Sequence, residues 1–105
     1  MDNFLELPQG GFQLRRLPFR KLELLKAWDA ADVYLLTHLA EHEALGADSR
    51  IVILNDGFGA LAVALNAYSP LALSDSVLSQ QATRNNLDLN GIARSRVILQ
   101  ASLTL

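Results

Sequence analysis

Two glycines and one aspartate carry the first chemical suggestion in this sequence. Gly57 and Gly59 lie in the turn Asn55-Asp56-Gly57-Phe58-Gly59, between the apolar run Ile51-Val52-Ile53-Leu54 and the Ala/Leu-rich stretch 60–67. Glycines at such a turn let the backbone approach a ligand closely, and the next helix offers unpaired N–H groups to an anion or a carboxylate. Asp75 falls 20 positions after Asn55, at the end of a second apolar run. Nucleotide-binding α/β folds place there the acid that accepts hydrogen bonds from ribose hydroxyls. The pattern suits an adenosine-bearing ligand, but the turn is degraded. A dinucleotide fingerprint asks for G-x-G-x-x-G, and a methyltransferase turn for an acid, one residue, then G-x-G-x-G. Here Asn55 stands where the first glycine belongs and Ile53 where the acid belongs. The side chains of Asn55 and Phe58 would obstruct a ligand tail on the turn, and Asp56 is expected to cap the helix instead of binding a ligand.

Other chemistry is weaker. Residues 1–26 hold Arg15, Arg16, Arg20, Lys21 and Lys26 against Asp2, Glu6 and Glu23, whereas 27–50 hold only Arg50 against five acids. A phosphate-binding patch is therefore expected at Arg15-Arg16 and Arg20-Lys21, with a solvated basic edge as the alternative. His38 and His42 share a helical face at i, i+4, but neither Glu41 nor Glu43 joins them cleanly, so no metal site is expected. Ser74, Ser76 and Ser79 lack a glycine elbow and a nearby histidine, which argues against acyl transfer. Arg84, Asn85 and Asn86 could touch RNA but read first as a solvent face of a helix, and Trp28 and Tyr34 as core or rim packing instead of a stacking platform for bases.

These residues need elements to hold them. With 105 residues, half of them apolar and 19% charged, the chain has material for one modest domain or a piece of a larger one. Residues 1–11 read as a loop or tail ending in Pro8-Gln9-Gly10-Gly11, and 12–17 as a short edge strand stopped by Pro18. A long helix over roughly 22–44 is predicted, burying a Trp28, Leu35, Leu39 stripe and closing at Gly46. Ile51 to Leu54 reads as a strand buried on both faces. A helix is expected next over 60–67, broken by Pro70. A strand over 71–74, a helix from Val77 to Leu89 capped by Ser76 and closed by Asn90-Gly91, and a strand over 96–101 complete the chain. The 51–105 order β-α-β-α-β predicts a parallel, three-layer sheet of Rossmann-like type, which lacks the strands a doubly wound fold places on the far side of the first. No cysteine, no signal-peptide pattern and no uncharged apolar run of about 18 residues are present, so a cytoplasmic protein without a membrane partner is expected.

Four ordered blocks carry a family resemblance: Trp28-Asp29-Ala30-Ala31-Asp32-x-Tyr34-Leu35-Leu36; Ile53-Leu54-Asn55-Asp56-x-Phe58-Gly59-Ala60-Leu61; Ser74-Asp75-Ser76; and Ala82-Thr83-Arg84-x-Asn86-Leu87-x-Leu89-Asn90-Gly91-Ile92. From about Phe12 onward the chain resembles the N-terminal half of RlmG-type ribosomal RNA large-subunit guanine-N2 methyltransferases, of the RlmG/RsmC family. The resemblance implies a class I methyltransferase-like fold in a degenerate, non-catalytic domain that assists recognition of ribosomal RNA. In that family a C-terminal domain carries S-adenosylmethionine and an Asn-Pro-Pro-Phe catalytic loop. This chain has no Asn-Pro-Pro, in keeping with the non-catalytic half. Gly57, Gly59 and Asp75 are then vestiges of a cofactor site, no cofactor is expected in this segment, and the expected partners are ribosomal RNA and the protein's own catalytic domain. Two alternatives stay open. One is an active half that binds S-adenosylmethionine through Gly57, Gly59 and Asp75; the other is a homodimer that covers an exposed apolar edge of the sheet.

Overall fold

The computed structural model describes residues 3–17, 25–42 and 45–101. Its first strands, β1 (Phe4–Leu7) and β2 (Gly10–Gln13), form an antiparallel hairpin around Pro8 and Gln9. Residues 3–11 of the stretch read as a tail are thus ordered, and the Pro-Gln-Gly-Gly cluster is the inside of a hairpin, not the end of a loop. Strand alternation explains the hairpin. Leu5 and Phe12 lie opposite one another in register and both are buried, while Phe4 and Gln13 are exposed. The pairing continues past β2, as the Leu14 N–H donates to the Asn3 carbonyl at 2.9 Å and Leu14 is almost fully buried.

Helix α1 spans Ala30–His42, shorter than the stretch predicted over 22–44; residues 22–24 and 43–44 lie outside the described residues. Its start is set by a reciprocal capping pair. Asp29 Oδ1 accepts the Asp32 N–H and Asp32 Oδ2 accepts the Asp29 N–H, each at 3.0 Å. The buried stripe is also shifted. Leu36 has no exposed surface and Val33 and Leu39 pack beside it, whereas Leu35 is exposed.

The remaining elements come in the expected order: β3 (Val52–Leu54), α2 (Ala60–Ala64), a 3-10 turn at Asn66–Tyr68, β4 (Leu71–Leu73), α3 (Val77–Leu89), a 3-10 turn at Arg94–Arg96, and β5 (Ile98–Gln100). Ser76 Oγ accepts the Ser79 N–H at 3.1 Å to start α3. At its other end Gly91, with φ of 66°, lets the Ile92 N–H reach Leu87 O and the Gly91 N–H reach Asp88 O, satisfying carbonyls the helix leaves unpaired. Strands β3, β4 and β5 form a parallel sheet in that order, with Ile53, Ala72 and Leu99 in one row and Val52, Leu71 and Ile98 in the next.

One core joins these parts: Leu5, Phe12 and Leu14 from the hairpin region, Leu36 from α1, Val63 from α2, Leu87 from α3, and Ile53 and Ala72 from the sheet. The other sheet face is largely bare. Val52 is 58%, Leu54 66% and Ile98 54% exposed. The expectation of a central strand buried on both faces in a three-layer unit is therefore corrected: among the described residues the sheet is covered on one face. No helix among them is long and apolar enough to cross a membrane.

Candidate functional site

Two concavities flank Arg15 and Arg16. A groove of about 330 Å³ is lined by Arg15, Arg16, Leu17, Asn85, Asp88 and Leu89. A cleft of about 380 Å³ opens at the carboxyl end of β3, between Arg16, Lys26 and Trp28 on one side and residues 55–58 on the other. Arg16 lines both.

Two asparagines of α3 fix this arrangement. Asn86, four residues before Asn90, is fully buried. Its Oδ1 accepts the Arg15 N–H at 2.8 Å, and its Nδ2 donates to the carbonyls of Arg15 at 3.0 Å and Phe58 at 2.8 Å. Asn90 does the same one helical turn later: Oδ1 accepts the Gln13 N–H and Nδ2 donates to Gln13 O, both at 2.7 Å. The two amides imitate a neighbouring strand for alternate residues, because i, i+4 on a helix and i, i+2 on an extended chain match in spacing. The chain beyond β2 is thereby clamped to α3 and, through the Phe58 carbonyl, to the glycine turn. Nothing in a single-residue reading marks Asn86 as buried, and its assignment to a solvent face is corrected. The Asn86/Asn90 spacing was the available signal.

The same clamp positions Arg16, the next residue along the chain. Its guanidinium lies 4.6 Å from the centre of the Phe58 ring, and Nη1 donates to the Lys26 carbonyl at 3.4 Å. Lys26 Nζ in turn sits 5.0 Å from the Trp28 ring centre. The cleft wall is thus two cations, each resting on an aromatic ring, with Trp28 at the rim as expected. Arg20 and Lys21 lie outside the described residues.

The cleft floor is acidic and committed. Asp56 Oδ1 accepts the Leu61 N–H at 3.3 Å and Oδ2 accepts the Ala62 N–H at 2.9 Å, so Asp56 caps α2. Burial pushes its carboxyl up to about 6, against the opposing pull of those two N–H groups, and the Asp32 charge adds to the rise. Burial likewise raises Asp32, with the Asp29 N–H opposing.

Of the two turn glycines, Gly59 serves packing. A Cβ on Gly59 would lie 2.8 Å from Thr83 Cα and 2.6 Å from its Oγ1, so α3 seats directly on this residue, whose φ is 88°. Asn55 adopts φ of 56°, a left-handed conformation that asparagine tolerates. Gly57 lies on the cleft, whereas Asp75 is exposed and lies outside its lining. The histidines, 4.6 Å apart between ring centres, stand on the exposed side of α1, and no group of three potential metal ligands occurs among the described residues. The Ser74 and Ser76 hydroxyls accept backbone N–H groups at the start of α3, a capping role.

With this geometry in place, the chain can be compared with known proteins. The profile of the family described as the RLMG N-terminal domain matches residues 2–105. The chain is similar to the ribosomal RNA large subunit methyltransferase G of Aeromonas hydrophila, at 43% identity over 103 residues, 98% of this chain and 27% of that protein. It is similar to the protein of the same name from Pectobacterium atrosepticum, at 48% over 100 residues, and from Streptomyces avermitilis, at 40% over 99 residues. Each of these two alignments takes 94% of this chain and 26% of the relative. The chain therefore spans about a quarter of the length of the curated relatives it matches.

Proposed function

The chain belongs to the RLMG N-terminal domain family, and from that premise we propose that it is the non-catalytic N-terminal domain of a ribosomal RNA (guanine-N2) methyltransferase of the large subunit. Its work is to help present ribosomal RNA to a downstream catalytic domain that uses S-adenosylmethionine, in the cytoplasm where ribosomes are made. Its sheet is the first half of a Rossmann-like, class I methyltransferase-type fold.

The observation that carries this reading is the paired-asparagine clamp, which holds Arg15 and Arg16 side by side between a groove and a cleft. A polyanion such as RNA is recognised by cations fixed in this way, and Arg20 and Lys21 extend the same basic segment. The glycine turn does not suit S-adenosylmethionine. Asp56 fills the N–H groups at the start of α2 with the chain's own carboxylate, and Asp75 stands outside the cleft that Gly57 borders. We assign Gly57, Gly59 and Asp75 to a vestigial site that has become scaffold.

A filter-binding series at rising salt tests the reading. A ribosomal RNA fragment should bind weakly with a steep salt dependence, and the double variant Arg15→Ala/Arg16→Ala should bind less tightly with a log–log slope shallower by roughly 1.4, the share of two phosphate contacts on a single strand. An unchanged slope removes the patch. Micromolar affinity for S-adenosylmethionine in calorimetry would favour the alternative, an active cofactor-binding half.

The bare sheet face favours a second reading, in which two copies of this chain cover each other's Val52, Leu54 and Ile98.

A further inference from the structure

We infer that the cleft at the carboxyl end of β3 is a receptor for one unpaired nucleotide of the RNA, its base stacking on Phe58 beside Trp28 and its phosphate held by Arg16 and Lys26. This rests on the RNA-presenting reading above and names what the RNA must offer there. The cleft volume of about 380 Å³ suits a single base with its sugar. Both rings line it and both are partly buried, which keeps them rigid while leaving surface toward the opening. Two aromatic rings, each with a cation resting on it, make up the apparatus by which single-stranded nucleic acid is bound without sequence readout.

In the free protein each cation lies on its ring, 4.6 Å away for Arg16 and 5.0 Å for Lys26. A base and its phosphate can take over both partnerships at once. The base replaces the cation on the ring, and the cation moves to the phosphate oxygen, a stronger partner than a ring face. The cleft also holds the carboxylates of Asp29, Asp32 and Asp56, each fixed in place by backbone N–H groups of the chain. They direct the phosphate to the cationic wall and the base, with its amino edge, toward the floor. A duplex keeps its bases stacked and cannot offer one to the cleft, so the site selects looped or single-stranded RNA.

Trp28, the sole tryptophan of the chain, stands in the cleft as a reporter. Titrating the chain with a ten-nucleotide single-stranded RNA should quench its fluorescence, while a blunt duplex of the same length and S-adenosylmethionine should not. Anisotropy of a labelled oligonucleotide gives affinity independently. Phe58→Leu, which keeps apolar volume but no π-face, should weaken binding about tenfold. Lys26→Ala should weaken it too, and Arg96→Ala, an exposed cation outside the cleft, should not. Far-UV circular dichroism confirms that each variant is folded. If the oligonucleotide binds by anisotropy without quenching Trp28, if duplex binds equally well, or if Phe58→Leu binds like wild type, the cleft is not the receptor, although the Arg15–Arg16 patch stands. Failure to bind by either readout overturns the patch and the cleft together.

Discussion

At the start of α2 the Asp56 carboxyl is 8% exposed, accepts two backbone N–H groups and has its pKa raised to about 6 by burial, with Asp32 adding to the rise. An unfolded chain titrates this group near 3.8. Between those values the folded protein holds a proton that the unfolded chain has released, so the contribution of Asp56 is fully present below about pH 4 and is lost as pH rises through 6. A shift of about two units corresponds to roughly 3 kcal/mol at neutral pH. Urea denaturation should therefore show a component of stability that falls from pH 4 to pH 7. Asp56→Asn, which cannot ionise and retains an acceptor oxygen for the helix, should remove that component; an equal fall in the variant would place the titration on another group. That Asp56 caps a helix was legible from its position beside a glycine turn and an Ala-rich run. Its burial was not, because Asp32 and Arg16, which border the same cleft, come from elements 24 and 40 positions away.

Helix α3 was the most legible element, because the caps at Ser76 and Gly91 act within one turn of their own positions and need no tertiary partner. Helix α1 was misplaced at its start for the converse reason: apolar spacing continues upstream of Ala30, but the Asp29–Asp32 pair fixes the first turn. The first strand of the N-terminal hairpin was read as part of a tail and the second was placed over 12–17, since the two four-residue strands alternate weakly on their own and pack on α1 and α2. What holds the hairpin to α3 is polar. Asn86→Ala would strip partners from the Arg15 N–H and from the carbonyls of Arg15 and Phe58, at a cost of about 3 kcal/mol. The variant should melt roughly 12 °C or more below wild type by circular dichroism. Asn85→Ala, one position away on the groove lining, should melt within a few degrees of wild type. Equal melting of the two would show that the clamp adds nothing.

For the molecule as a whole, the parallel sheet is the controlling feature. Parallel sheets are ordinarily covered on both faces, and the unbroken apolar run of β3 is what such burial requires. Here Ile53 is 5% exposed on one side while Val52 and Leu54 stand open on the other. The sequence pattern thus announced a two-sided strand, and only the placement of the helices could reveal that one side is free. If copies of the chain pair through this face, light scattering should show a mass that rises with concentration. Leu54→Lys combined with Ile98→Lys should return it to a monomer while leaving the melting temperature nearly unchanged, as both side chains are already exposed. A concentration-independent monomer in the unaltered chain would exclude pairing.

The two asparagines join positions 71 and 77 residues apart along the chain. During synthesis this tie to the first hairpin can therefore form only after Asn86 and Asn90 have left the ribosome. The segment that carries Arg15 and Arg16 is thus locked to α3 only through a contact of long sequence separation, the kind that forms slowly.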